Sequence, residues 1–380
     1  MKKILVFIDW YEPGYRAGGP IRSIKNLVDY FKGEACFYII TRNIDYQSTV
    51  PYNSVISDAW NQVEPNVSVY YCSQQHLGKR TFKRLFDEQE WDIIYINGIY
   101  SWFFSLLPLW LLRGTNSRIV VAPRGMLAAG ALGVKSLKKN VFLWLARKNG
   151  FFRDAVFHAT HAGEADEIKR HLNQEASIVV APNLAAQAKE LNWQPRVKQK
   201  GVLRMVSIAR ISPEKNTKYG LEILKSLASD LQVEYHLYGP INDQQYWQEC
   251  QEVISKLPPH ASVEYKGSLA NDHVASTLKD YHVLCLPSRG ENFGHVILEA
   301  LTAAIPVLIS DRTPWRGLIQ KQAGWDLPLE TPEQFSFVIE QLAQMEQTEY
   351  DSWSRAAFAL AVDKILDEEV LHDYRRLLEL

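Results

Sequence analysis

Short strand-like runs, continuously apolar at residues 4–8, recur along this chain, and stretches with the spacing of amphipathic helices separate them. In the first half the runs are residues 4–8, 36–41, 67–71, 93–96, 118–122, 156–159 and 178–180. In the second half they are residues 203–209, 233–238, 263–265, 283–286 and 306–310. A strand that is apolar throughout has to be covered on both faces, which is the pattern of a parallel sheet between layers of helix. Helical spacing fills the intervals at 21–31, 81–88, 100–112, 135–149 and 162–171. It returns at 218–227, 243–257, 271–281 and 294–303, and again near 332–345, 350–360 and 367–377. Strands alternating with helices predict a doubly wound α/β architecture.

The alternation stops in the polar stretch 182–201 and then restarts, and 380 residues is long for one core. The predicted division is a first Rossmann-like domain at 1–184, a linker at 185–201, a second Rossmann-like domain at 202–360, and a terminal helix at 361–380 packing back on the first. Two such domains facing each other across a cleft would hold ligands at the carboxyl ends of both sheets.

Composition narrows the function. A formal net charge of -1 gives no general pull toward nucleic acid or anionic lipid. Cys36, Cys72, Cys250 and Cys285 show no metal-ligand spacing and read as reduced residues of a cytosolic protein. Five apolar residues between Lys3 and Asp9 are too few for a secretory signal, and the apolar run 102–112 is too short to span a bilayer. The expected location is the cytoplasm. A basic, aromatic segment containing Lys135, Lys138, Lys139, Arg147, Lys148 and Arg153 with Phe142, Trp144 and Phe151 could lie on the inner face of the membrane. A helix with one solvated and one core face is its commoner explanation.

The segment Ser288-Arg289-Gly290-Glu291-Asn292-Phe293-Gly294-His295, continuing to Glu299, carries the most chemistry. It follows the apolar strand 283–286 and leads into a helix, so free backbone N–H groups and a helix dipole would meet a ligand there. Glu291 lies in the loop and Glu299 about one turn inside the helix, so the two carboxylates can flank one ligand. Gly294 allows close backbone approach. Asn292, Phe293 and Gly294 could hold a sugar or its phosphate, and His295 would lie nearby. A solvated loop glutamate and an exposed helix glutamate are the plain alternative. The apolar neighbours Val296, Ile297, Leu298 and Ala300 weigh against it, because a carboxylate among them needs a partner.

Arg210 and Lys215 follow the strand 203–209 and could converge on a diphosphate, the first as a fork and the second as a point charge. A solvated turn with Ser212 capping the next helix is equally consistent. In the first half, Gly18 and Gly19 follow the first strand without dinucleotide spacing. Asn97, Arg124 and His161 each follow a strand end. Each of these is a turn or structural residue when judged alone.

Taken together and in this order, these stretches resemble the retaining glycosyltransferases of family 4, whose fold is GT-B. The resemblance rests on Gly18-Gly19-Pro20, Pro182-Asn183, Arg210 with Lys215, and Glu291 to Glu299. Pro123-Arg124-Gly125-Met126-Leu127 and Thr313-Pro314-Trp315 are similar to members of the bacterial surface-polysaccharide type. It implies transfer of a sugar from a UDP- or GDP-sugar to a glycan or lipid-linked acceptor, with retention and with no metal or other cofactor. It also implies residue roles. Arg210 and Lys215 would hold the diphosphate, Glu291 would act at the donor sugar and Glu299 at the ribose. Gly239, Lys266 and Gly267 would lie near the base, and Gly18 and Gly19 would approach from the first domain. Asn97, Arg124 and His161 would lie on the acceptor side. Two positions depart from the family. Ala304 stands where glycine is usual, and Asn97 stands where many members have histidine. The alternatives are a nucleotide-sugar epimerase or phosphorylase of the same architecture, or a nucleotide-sugar-binding partner subunit without turnover.

Overall fold

The computed structural model describes residues 1–127, 142–144, 146, 148, 150–187 and 191–380. Lys135, Lys138, Lys139 and Arg147 of the basic, aromatic segment lie outside the described residues. The chain forms two compact units, Met1–Gln187 with Asp367–Leu380, and Ala188–Leu366.

The first unit is built on an eight-stranded sheet: β1 Lys2–Phe7, β2 Ala35–Arg42, β3 Trp60–Glu64, β4 Val67–Cys72, β5 Ile93–Asn97, β6 Arg118–Ala122, β7 Ala155–Ala159 and β8 Ser177–Val180. The order is β3-β4-β2-β1-β5-β6-β7-β8. Only β3 runs antiparallel to its neighbour. Alternate residues of β1 feed different cores, as a strand covered on both faces must. Ile4, Val6 and Ile8 pack with Ile21, Ile24 and Val28 of the helix Gly19–Phe31. Leu5 and Phe7 pack with Phe82 and Phe104 on the other side. The last helix, Glu368–Leu378, buries Tyr374, Leu377 and Leu378 in the first of these cores. Its end is fixed by Arg375 on Glu34 at 2.8 and 3.1 Å and by Arg118 on Glu379 at 2.5 Å.

The second unit is a six-stranded, fully parallel sheet: β9 Val202–Ile208, β10 Gln232–Tyr238, β11 Ala261–Gly267, β12 Val283–Leu286, β13 Val307–Ser310 and β14 Gly324–Leu327, in the order β11-β10-β9-β12-β13-β14. Strands β3 and β14 are not anticipated by apolar patterning. The first is half-exposed, and the second is four residues interrupted by Asp326. The helical stretch after β9 is also shorter than its pattern, Thr217–Glu222 followed by one tighter turn, Ile223–Ser226.

Ala304 has left-handed backbone with φ of 58°, a conformation that glycine adopts without steric cost. Its carbonyl accepts from Arg196 Nη1 at 3.1 Å and Ser354 Oγ at 2.8 Å, and these bonds hold the turn in that shape.

Candidate active site

Strands β9, β10, β12 and β13 are parallel neighbours in the second unit, so the loops that follow them open at one edge of the sheet. The loop after β12 is stitched to the loops on either side. On the β9 side, Arg289 N donates to Glu214 O at 2.9 Å. On the β13 side, Glu291 N donates to Arg312 O at 3.2 Å and Ser310 Oγ to Ser288 O at 2.5 Å. The indole N–H of buried Trp315 donates to Phe293 O at 2.6 Å, and its ring lies 5.8 Å from that of Phe293. The Phe293 ring in turn meets His295 edge-on at 4.9 Å.

This stitching brings Glu291 onto Lys215. Nζ and Oε1 are 2.6 Å apart, with the lysine side chain 20% and the glutamate side chain 9% exposed. Lys215 is aimed by the turn before it. Asn216 has left-handed backbone at φ 57° and starts the helix Thr217–Glu222, with its N–H on Ser212 O at 3.1 Å. The cap of that helix is therefore Asn216, and Ser212 does not serve. The Ser212 hydroxyl is fully buried and has no partner among the described residues. Arg210 is half-buried just past β9 and makes no ion pair or side-chain hydrogen bond among the described residues.

Gly239 sets the backbone beside Arg210. A Cβ there would fall 2.0 Å from Ala209 O and 3.1 Å from Arg210 N, and its φ is 139°. Its N–H donates to Gly267 O at 2.8 Å, so these two glycines meet at the ends of β10 and β11. Lys266 pairs with Glu264 at 2.5 Å. Gly294, at φ 75°, starts the helix His295–Thr302 without a side-chain cap, and a Cβ there would come 2.7 Å from Ile297 Cδ1. Glu299 is half-buried on this helix between buried Leu298 and Ala300. A carboxylate, two cations, glycine-lined backbone and an uncapped helix start share this edge. That set can bind a diphosphate and hydroxyls.

In the first unit Gly18, at φ 73°, starts the helix Gly19–Phe31. The preceding loop is held by buried Asp45, which accepts from Tyr15 N at 3.2 Å and Arg16 N at 3.3 Å. Asn97 and Arg124 come together in a buried network. Arg124 has left-handed backbone at φ 56°. Its guanidinium donates to Asn97 Oδ1 at 2.9 Å, to Tyr95 OH at 2.8 Å and to Asn183 Oδ1. Tyr95 OH bonds His158 Nδ1 at 2.5 Å, and His158 Nε2 donates to Ala181 O at 2.8 Å. Burial, reinforced by the Arg124 charge, pushes His158 down to about 3 and keeps it neutral. Glu164 accepts from Gly125 N at 2.5 Å and from Thr160 N and Oγ1, both at 2.7 Å. His161 accepts from Glu164 N at 3.1 Å as the cap of the helix Ala162–His171. The sequence does not single out Tyr95, Glu164 or Asp45, and it marks Trp315 only through the Thr313-Pro314-Trp315 resemblance. The one signal for Tyr95 and Glu164 is that they lie in or just beyond strands β5 and β7 of the first unit. Among the described residues no group of three His, Cys, Asp or Glu side chains is arranged to hold a metal ion.

The two parallel-sheet Rossmann-like units define the class: the fold is that of the GT-B glycosyltransferases. Residues 189–360 match the family described as glycosyl transferases group 1. The UDP-N-acetylglucosamine–peptide N-acetylglucosaminyltransferase GtfA subunit of Streptococcus agalactiae is 22% identical over 173 residues, 44% of this chain and 32% of that protein. The match thus spans about a third of the relative's length. Sucrose-phosphate synthase from Thermosynechococcus elongatus is 14% identical and superposes with a TM-score of 0.75, covering 100% of this chain and 98% of that one. Anabaena HepE, solved with UDP and glucose, gives a TM-score of 0.66 at 14% identity, covering 100% and 99%.

Proposed function

We propose that the protein is a retaining, metal-independent glycosyltransferase of family 4. It moves a sugar from a UDP-sugar to a hydroxyl of a glycan or lipid-linked precursor in surface-polysaccharide synthesis. The observation that carries this reading is the Lys215–Glu291 pair, within the stretch that matches the group 1 family. Its lysine is on the same post-β9 loop as Arg210, which has no ion pair among the described residues. A UDP-sugar is favoured over a GDP-sugar because the names of the similar proteins specify UDP.

In this reading Arg210 and Lys215 bind the diphosphate and neutralise the charge that grows on it as the anomeric C–O bond breaks. Glu291 accepts hydrogen bonds from the donor sugar and stabilises the cationic character at its anomeric carbon. Glu299 accepts from the ribose. Gly239 and Gly267 let the base lie against backbone, and the uncapped start at Gly294 receives phosphate or sugar oxygens. The acceptor hydroxyl attacks from the face that the diphosphate leaves. Its oxygen bonds the anomeric carbon, and its proton passes to the departing phosphate oxygen. The working location is the cytoplasm, at the inner face of the membrane. Exposed Trp144 beneath Lys148, 5.2 Å from its ring centre, and Phe151 beneath Arg113, at 4.9 Å, support a peripheral contact.

A thermal-shift panel of UDP, GDP and their sugars, with and without magnesium, tests the donor site. A ligand at about 100 times its Kd adds roughly 2.7 kcal/mol of stability. UDP and a UDP-sugar are expected to do so without magnesium. No shift with any nucleotide would remove the donor site from the second unit.

A further inference from the structure

In the first unit the strand order reverses at β1. The chain passes from β1 to β2 on one side, while β5 and its successors extend on the other. At such a switch point in a parallel sheet a crevice opens outside the carboxyl ends of the strands. Two residues beyond β1, at the mouth of that crevice, stands Asp9. Its Oδ1 accepts from Ser101 Oγ at 2.9 Å, across the mouth from the segment after β5, and from Arg42 Nη2 at 3.2 Å, at the end of β2. Its Oδ2 accepts nothing from any described residue, and the side chain is 20% exposed. The carboxylate is thus locked through one oxygen and open through the other. Burial holds its carboxyl above the usual carboxylate range, against the pull of Ser101 and Arg42.

The walls are aromatic. Arg42 lies 5.1 Å from the Phe104 ring centre and 5.8 Å from that of Trp10. The half-buried Trp10 ring stands edge-on to Tyr46 at 5.0 Å. The Arg42 charge is already met by Asp9, so the site does not ask for an anion. An open acceptor oxygen beside an apolar indole suits a neutral polyol, whose hydroxyls donate and whose C–H face lies on the ring.

We propose that Asp9 is the hydroxyl-binding carboxylate of a sugar-recognising subsite on the first unit, with Trp10 as its platform. The proposal rests on the glycosyltransferase reading only in making that sugar the acceptor. The subsite itself stands on the geometry of the first unit. One acceptor hydroxyl donates to Oδ2, and no bond is made or broken there.

The test is binding of α- and β-methyl glycosides of glucose, galactose, mannose and N-acetylglucosamine to the full chain, followed by ligand-observed NMR. UDP affinity is measured alongside. Asp9→Asn keeps an oxygen for Ser101 and Arg42 but replaces the open acceptor with an N–H donor. At least one glycoside is expected to bind the wild type, with its Kd raised tenfold or more in Asp9→Asn and in Trp10→Ala. UDP affinity should stay within twofold. A glycoside that binds Asp9→Asn within twofold of wild type, or a wild type that binds none of the glycosides, overturns the proposal. Failure of the wild type to bind UDP counts against the donor reading alone.

Discussion

Lys215 Nζ and Glu291 Oε1 lie 2.6 Å apart although the residues are 76 positions apart in the chain. The contact exists because the loop after β12 is pinned between the loops after β9 and β13. The pair gives the edge a fixed carboxylate and a fixed ammonium. A diphosphate arriving there would have to share Lys215 with Glu291, which makes this pair the point where donor binding and sugar chemistry meet.

Lys215→Met should therefore have two separable effects. Nucleoside diphosphate affinity should fall roughly 10- to 100-fold, the loss of a charged hydrogen bond. Stability should fall by about 1–3 kcal/mol, because Glu291 is left largely buried without its cation. In the double variant Lys215→Met/Glu291→Gln, denaturant melts should show part of that stability regained, a coupling on the order of 1 kcal/mol.

Arg210→Gln should behave differently, since Arg210 has no partner among the described residues. Stability should stay within about 0.5 kcal/mol of wild type. UDP affinity, measured by calorimetry, should fall roughly 10- to 100-fold. A large loss of stability with unchanged affinity would make Arg210 a packing residue.

Gly239→Ala would put a methyl 2.0 Å from Ala209 O in a backbone conformation that L residues avoid. The cost should be about 2–4 kcal/mol in a denaturant melt. Because the displaced backbone carries Arg210, nucleotide affinity should fall with it. A near-neutral substitution would mean that the β10 end is free to shift.

The first unit should lose stability in acid through His158. Its folded value of about 3 lies below its ordinary value of 6.5. The unfolded chain therefore binds the proton first, and the stabilisation is complete above pH 6.5 and lost as pH falls toward 3. Between pH 6.5 and 5 the loss should be roughly 1.5 kcal/mol. Melts of wild type and His158→Gln across that window should differ in slope by this amount. Parallel slopes would show that the neutral histidine is not what links this network to pH.

Much of this architecture was legible because β1, β2, β5, β12 and β13 are largely apolar on both faces, and a covered parallel sheet satisfies such strands. Strand β14 was hidden because Asp326 breaks its pattern to accept from Gly317 N and Leu318 N at 3.1 and 2.9 Å. The segment from Glu291 to Gly294 could be read as a strand-to-helix loop, since its glycine and its apolar flanks are local signals. The Lys215–Glu291 contact could not be read. It depends on β9 and β12 being neighbours, a property of strand order that no local pattern records. The same holds for Asp9, whose partners Arg42 and Ser101 come from two other strand ends. Ala304 shows the limit from the other side. Its left-handed turn would be announced by glycine, but here long-range bonds from Arg196 and Ser354 impose it.

The most direct test of the glycosyltransferase account is release of UDP from a UDP-sugar by wild type and by Glu291→Gln at matched donor saturation. The account predicts that the variant binds UDP with near wild-type affinity and releases it roughly a thousandfold more slowly, about 4 kcal/mol of lost transition-state stabilisation. A variant that turns over the donor within threefold of wild type would contradict it.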